Sequence, residues 1–230
     1  MSGSPQHMSA IPAPGALEIR KVSAGPYDNN AYVIVSRATG ESVIVDTPAE
    51  PEKVLAAAAG TQVRAILITH CHADHIQGHR EVVAATGAPV WVHASEAEKL
   101  PIAPQHLFQH LGAIHLGGQS LTALHVPGHT TGGTAILWDK QLFSGDTLFP
   151  NGPGKTWSPD AFHQLVSMLK ERIFTLDDDI AVRPGHGSDT VLGREKQQFR
   201  TFESRPRSPD LCGDVLWLAP DPARRRADAS

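Results

Sequence analysis

With 230 residues, 40% of them hydrophobic and 19% charged, the chain can bury a sizeable core in one α/β domain, which argues against global disorder. A formal charge of −4 argues against a nucleic-acid binder, which would show a basic stripe, and no uninterrupted run of about 18 apolar residues is present to form a membrane helix. Cys71 and Cys212 are the two cysteines, so a disulfide framework is not expected and a reducing, cytoplasmic setting is.

Residues 1–16, rich in Ser, Pro and Gly, show no apolar segment of a secretory signal and are expected as a flexible tail. Strands are expected over 17–22 and 31–35, separated by the turn chemistry of Gly25-Pro26 and Asp28-Asn29-Asn30, and again over 42–46. Pro51-Glu52 opens a helix that Gly60 stops. A buried strand over 65–69 leads into His70-Cys71-His72-Ala73-Asp74-His75, followed by a helix over 77–85 and a strand over 90–93. The signal weakens over 95–118, where Pro101 and Pro104 break any long helix and a surface helix with a loop is expected. Strands resume at 121–126, 134–138 and 141–144; a helix follows from Pro159 to Lys170, a strand over 180–183 and a last helix over 189–202. Alternating strands and helices read as α/β layers. Residues 204–230 form an expected C-terminal extension, with an apolar island over 211–218 docked as a strand or turn and a frayed tail from Pro220.

Thirteen histidines against two tyrosines is a usage that fits a metalloprotein. The stretch His70-Cys71-His72-Ala73-Asp74-His75 places three imidazoles and a carboxylate at the end of one buried strand, a pattern of metal ligands rather than of packing. Cys71 points the other way if this segment is extended and is expected to take no part. Three further donors, His129, Asp146 and His186, each follow a predicted strand and sit beside glycine. Strand ends on one edge of an α/β fold converge. His70, His72 and His129 then face one position, Asp74, His75 and His186 another, and Asp146 can bridge them. Seven donors exceed the roughly three protein ligands of one catalytic zinc. Two metals about 3.5–4 Å apart use all seven and leave between them a water that ionises near pH 7.

The motif His70-x-His72-x-Asp74-His75, with Pro127-Gly128-His129, Ser144-Gly145-Asp146 and Pro184-Gly185-His186 in that order, resembles the metallo-β-lactamase superfamily over residues 17–202. The resemblance implies an αββα sandwich, a catalytic domain over 17–203, and two divalent cations, zinc first and iron or manganese as alternatives. It also implies a hydroxide between the metals that attacks an ester or thioester carbonyl, with Asp74 and Asp146 as the catalytic carboxylates. Asp46 matches a strand-end aspartate that orients a ligand in the family. The stretch 144–149, followed by Gly152-Pro153-Gly154-Lys155, is similar to glyoxalase II, which implies that Lys155 meets a substrate carboxylate. Phe149 and Trp157 are the candidate apolar walls of the cleft. Glyoxalase II carries a long helical C-terminal extension, which the short stretch after Phe202 does not match. The His70–Ile76 loop also resembles persulfide dioxygenases, which hold one iron through positions matching His70, His129 and Asp146; a lactonase or β-lactamase is a further alternative on the same fold. The expected partner is a small-molecule substrate, with no nucleic acid and no membrane, and a homodimer is a possible assembly.

Overall fold

β1 (Leu17–Ala24) and β2 (Asn29–Ser36) pair antiparallel along their whole length. The structure, a computed structural model, describes residues 17–219. The tail expected over 1–16 and the chain from Pro220 onward lie outside the described residues. β2 is buried at every position because both of its faces are covered. Tyr32 and Ile34 point one way and Ala31, Val33 and Val35 the other, as the two-residue period of a strand requires.

β3 (Glu41–Val45) is followed by α1 (Pro51–Ala58), whose first position holds Pro51, a residue already fixed at helical φ and without an N–H to leave unpaired. β4 (Gln62–Leu67) then runs parallel to β3. After it come α2 (Ala73–Ile76), α3 (His79–Thr86), β5 (Val90–His93) and β6 (His106–Phe108). The six strands form one sheet in sequence order.

The second half builds β7 (Ala113–Leu116), β8 (Gln119–His125), β9 (Thr134–Trp138), β10 (Gln141–Gly145) and the short hairpin β11 (Leu148–Phe149) with β12 (Gly152–Pro153). It continues through α4 (Pro159–Met168), β13 (Ala181–Pro184), β14 (Thr190–Val191) and α5 (Leu192–Glu203). Its sheet has the order β14-β13-β10-β9-β8-β7.

Three apolar clusters account for the layers. Tyr32, Ile34, Val43, Val45 and Leu67 of the first sheet meet Leu121, Ile136 and Phe143 of the second. Ile44, Ile66 and Val33 pack under α1 and α3 through Val54, Ala58 and Val82. Leu142 and Val182 pack under α4 and α5 through Leu165, Leu192 and Phe199, and Trp217 joins this outer cluster. Helices therefore cover both outer faces of two facing sheets, the αββα sandwich that was expected. No helix of the described residues is long and apolar enough to cross a membrane.

Several boundaries differ from the sequence expectation. The helix expected over 77–85 is two: α2 turns within the histidine loop itself, and α3 begins only after Gly78, whose N–H bonds to the carbonyls of Thr47 and Pro48. Instead of a surface helix with a loop, 95–118 holds a 3-10 turn (Ala94–Lys99) and two edge strands, β6 and β7. These edges leave His106 and Leu107, then Ala113 and His115, exposed, so their pattern carries little apolar signal. The helix expected over 189–202 starts later because Thr190 and Val191 pair with β13 first. The one expected to reach Lys170 widens to a π-turn at Leu169–Ile173. The island over 211–218 does dock: Gly213 bridges to Thr156, and Leu211, Val215 and Trp217 are buried.

Candidate metal centre

Asp46 ends β3 at φ +60°, a left-handed conformation that aspartate tolerates better than most residues. In this pose its two carboxylate oxygens accept from the Thr69 N–H and hydroxyl, each at 2.8 Å. The second oxygen also accepts from His75 Nδ1 at 2.9 Å. The Thr69 hydroxyl has its proton committed to Asp46, and its lone pairs face His70 Nδ1 at 3.1 Å. One carboxylate thus sets the orientation of two imidazoles at the end of β4.

The remaining donors arrive from the loop into α2 and from the ends of β8, β10 and β13, and His129, His186 and Asp74 are held by further hydrogen bonds. His129 follows β8 and donates from Nδ1 to the Lys155 carbonyl at 2.8 Å. His186 follows β13 and donates from Nδ1 to the Tyr27 carbonyl at 2.7 Å. Asp74, on α2, accepts from the Asn29 side-chain amide at 2.9 Å. Asp146 follows β10, and Gly185 is required beside it, since a Cβ there would fall 2.3 Å from Asp146 Oδ1.

The free atoms converge. His70 Nε2 and His129 Nε2 lie 3.1 and 2.9 Å from His72 Nδ1. His186 Nε2 lies 3.2 Å from His75 Nε2 and 3.2 Å from Asp74 Oδ2. Asp146 stands between the two groups, with Oδ2 3.5 Å from His129 Nε2 and 3.4 Å from His186 Nε2, and Oδ1 3.3 Å from His75 Nε2. The described donors fall into three overlapping sets that can hold a cation: His70, His72 and His129; His70, His75 and Asp146; Asp74, His75 and His186.

The chemistry of this donor set fits two cations. Because His70 and His129 each spend Nδ1 on an oxygen, their Nε2 atoms present lone pairs toward His72 Nδ1. Lone pairs of neutral imidazoles facing each other at about 3 Å repel unless a positive charge lies between them. Asp146 Oδ1 is buried without a hydrogen bond, a costly state that a cation would relieve. Burial holds His70, His72 and His129 below the usual imidazole range, in the neutral form that binds metal. Burial also works against the charged form of His75 and His186, but the carboxylates outweigh it. His75 is raised by Asp146 and Asp46, and His186 is raised to about 10 by Asp146 and Asp74. For Asp146, burial is outweighed by His75 and His186, which keep it ionised well below the carboxylate range; the bond from His186 does the same for Asp74.

All seven residues singled out as ligands therefore meet at one edge of the sandwich, and Asp46 stands directly behind them. Cys71 instead packs buried in the apolar cluster under α1 and α3. His93, His115 and His163 join none of the three donor sets. The residues assigned to substrate surround the mouth. A cleft of about 340 Å³ is lined by His129, Asp146, His186, Phe149 and Lys155, and by Asp214, Val215 and Leu216 of the C-terminal stretch. Phe149 lies 6.2 Å from the His186 ring; exposed Trp157 lies 5.3 Å from that of His72 and 5.4 Å from that of His129. The Lys155 ammonium is half exposed and 3.4 Å from Asp214 Oδ2.

Sequence reasoning missed Asn29, Asp214 and the backbone carbonyls of Tyr27 and Lys155. Asn29 was legible as a turn residue, but nothing in its spacing ties it to Asp74, 45 positions away.

The sequence profile described as "Metallo-beta-lactamase superfamily" matches residues 24–186. Hydroxyacylglutathione hydrolase of Anaeromyxobacter dehalogenans is 35% identical over 162 residues, covering 70% of this chain and 62% of that protein. Hydroxyacylglutathione hydrolase GloC of Haemophilus influenzae is 29% identical over 188 residues, covering 71% and 88%. Among solved structures, BLEG-1 B3 metallo-β-lactamase superposes with a TM-score of 0.72 at 26% identity, covering 78% of this chain and 97% of that one. ETHE1 from Myxococcus xanthus gives 0.70 at 27%, covering 78% and 82%. TTHA1623 in a di-iron-bound form gives 0.65 at 32%, covering 77% and 97%. Fold, donor geometry and family profile agree, and the chain belongs to the metallo-β-lactamase superfamily.

Proposed function

We propose that the chain is a dinuclear metal-dependent hydrolase of thioesters or esters, of the hydroxyacylglutathione hydrolase kind. The observation that carries this reading is the division of seven donors into two sets with Asp146 between them. His70, His72 and His129 would hold one cation, Asp74, His75 and His186 the other, and Asp146 both; zinc is the proposed metal, with iron or manganese as alternatives. Bound there, the pair would acidify a water into the neutral range and polarise a carbonyl oxygen, so no serine or cysteine nucleophile is needed.

The chain's own residues supply the rest. Asp46, through Thr69 and His75, fixes the ring planes of His70 and His75. Asp74, partly exposed at the rim and tethered by Asn29, would act beside Asp146 as a catalytic carboxylate in its ionised form, accepting a hydrogen bond at the centre. Phe149 and Trp157 offer apolar walls for an acyl chain, and Lys155, at the cleft mouth, meets an anionic group of the substrate. The thioester preference rests on relatives named hydroxyacylglutathione hydrolase, of which GloC is matched over 88% of its length. The proposed catalytic domain spans 17–203, and both Cys71 and Cys212 are free, as in a reducing cytoplasm.

The test is metal analysis combined with a panel of thioesters, lactones, β-lactams and glutathione persulfide on one sample. Near two metal ions per chain and fastest turnover of a hydroxyacylglutathione thioester are expected. One iron per chain with sulfite formed from glutathione persulfide would overturn the reading in favour of a mononuclear site on His70, His129 and Asp146.

A further inference from the structure

Glu96 is a carboxylate with no exposed surface, yet it lies outside the donor sets. It sits on the 3-10 turn Ala94–Lys99 that follows β5. Oε2 accepts from the Cys71 N–H at 3.3 Å and from Lys99 Nζ at 2.9 Å; Oε1 accepts from the Gly132 N–H at 3.1 Å. Cys71 is the residue between His70 and His72. Gly132 lies three positions after His129, in the loop between β8 and β9. One buried carboxylate therefore ties together the two loops that carry the three-imidazole set.

A second observation supports a dedicated fit. A Cβ at Gly132 would stand 2.4 Å from Glu96 Cγ, so this loop residue has no side chain where the carboxylate enters. The two loops meet at one further backbone bond, from the Thr134 N–H to the Thr69 carbonyl at 2.9 Å. Burying a charge is costly unless it is fully paired, and a packing role alone would be met by an apolar side chain. Here burial works against the ionised form, and Lys99 with the Gly132 N–H among the bonds to it prevail.

We propose that Glu96 is a positioning residue that sets the distance between the His70–His72 loop and the His129 loop, and so the affinity and geometry of the three-imidazole cation site alone. This rests on the dinuclear reading above. Asp74, His75 and His186 come from α2 and from the end of β13 and receive no bond from Glu96, so the second site should be indifferent to it.

The test is titration of the metal-free protein with cobalt(II), following the visible bands of the two sites, for wild type, Glu96→Gln and Gly132→Ala. Glutamine keeps the volume of Glu96 but can no longer accept on both sides. An added methyl at Gly132 pushes the carboxylate aside while leaving its charge intact. We expect each variant to bind cobalt at one site about 10–100-fold more weakly with altered bands, the range for outer-sphere partners of metal ligands. The other site should keep wild-type affinity and spectrum, and Glu96→Asp should recover part of the loss. Equal weakening of both sites, no weakening of either, or loss of the fold in both variants would overturn the positioning role, the last by showing Glu96 to be only a core clamp. Wild-type protein that binds fewer than two cobalt ions would instead remove the dinuclear reading itself.

Discussion

Asp146 Oδ2 is within 3.5 Å of nitrogens from both donor sets. Asp146→Ala is expected to abolish hydrolysis and lower bound metal to below one ion per chain, measured by elemental analysis after desalting; full occupancy would argue against bridging. Lys155 carries two separable functions. Its carbonyl orients His129, and its ammonium, half exposed beside Asp214, is free to meet an anion at the cost of a weak surface pair of about 0–1 kcal/mol. Lys155→Ala keeps the carbonyl, so KM for anionic thioesters should rise up to about fivefold while neutral esters are unaffected; equal changes for both would mean the ammonium reads no charge. Cys71 offers a test of burial. Burial, with Glu96 nearby, pushes its thiol up to about 12, whereas an unfolded cysteine titrates near about 8.5. The neutral thiol thus contributes fully to stability below about pH 8.5, and that contribution is lost as pH rises through this window. At pH 8 a thiol reagent should label one cysteine per folded chain, Cys212, and two in denaturant; rapid labelling of both would contradict the buried placement.

At the scale of elements, the strands that feed the centre were the most legible, because each is an apolar run ending in a donor, with Gly just before the donor in all but the first. The run over 65–69 before His70, and 141–144 before Asp146, announce themselves by composition alone. The edge strands β6 and β7 did not, since half of their residues face solvent and two prolines precede them. Nor did the contacts that brace the donors and their loops: Asn29 on Asp74, the Tyr27 carbonyl on His186 and Glu96 across two loops join positions that no local period connects. The stretch after α5 is a further case. Its apolar island was visible, but not that Trp217 would be fully buried against Phe199 and Phe202, with ring centres 5.2 and 5.0 Å apart. Trp217→Ala should cost about 3–5 kcal/mol, read as a lowered midpoint in urea unfolding; a change below about 1 kcal/mol would mean the segment is not part of the outer cluster.

Across the whole molecule, two sheets with helices outside hold four separate strand ends on one edge, and four of the five rings that meet there are fixed from behind by an oxygen. Such a preset arrangement leaves the cation little reorganisation to drive, and it leaves the free protein with opposed lone pairs and an unsatisfied Asp146 oxygen. Bound metal should therefore raise the unfolding temperature, and a strong chelator should lower it, by linkage. The most direct measurement is anomalous diffraction from crystals of the metal-loaded protein. Two peaks about 3.5–4 Å apart are predicted. One should lie about 2.0–2.2 Å from nitrogens of His70, His72 and His129, and the other at similar distance from Asp74, His75 and His186. A single peak, or peaks bonded to other side chains, would contradict the dinuclear centre.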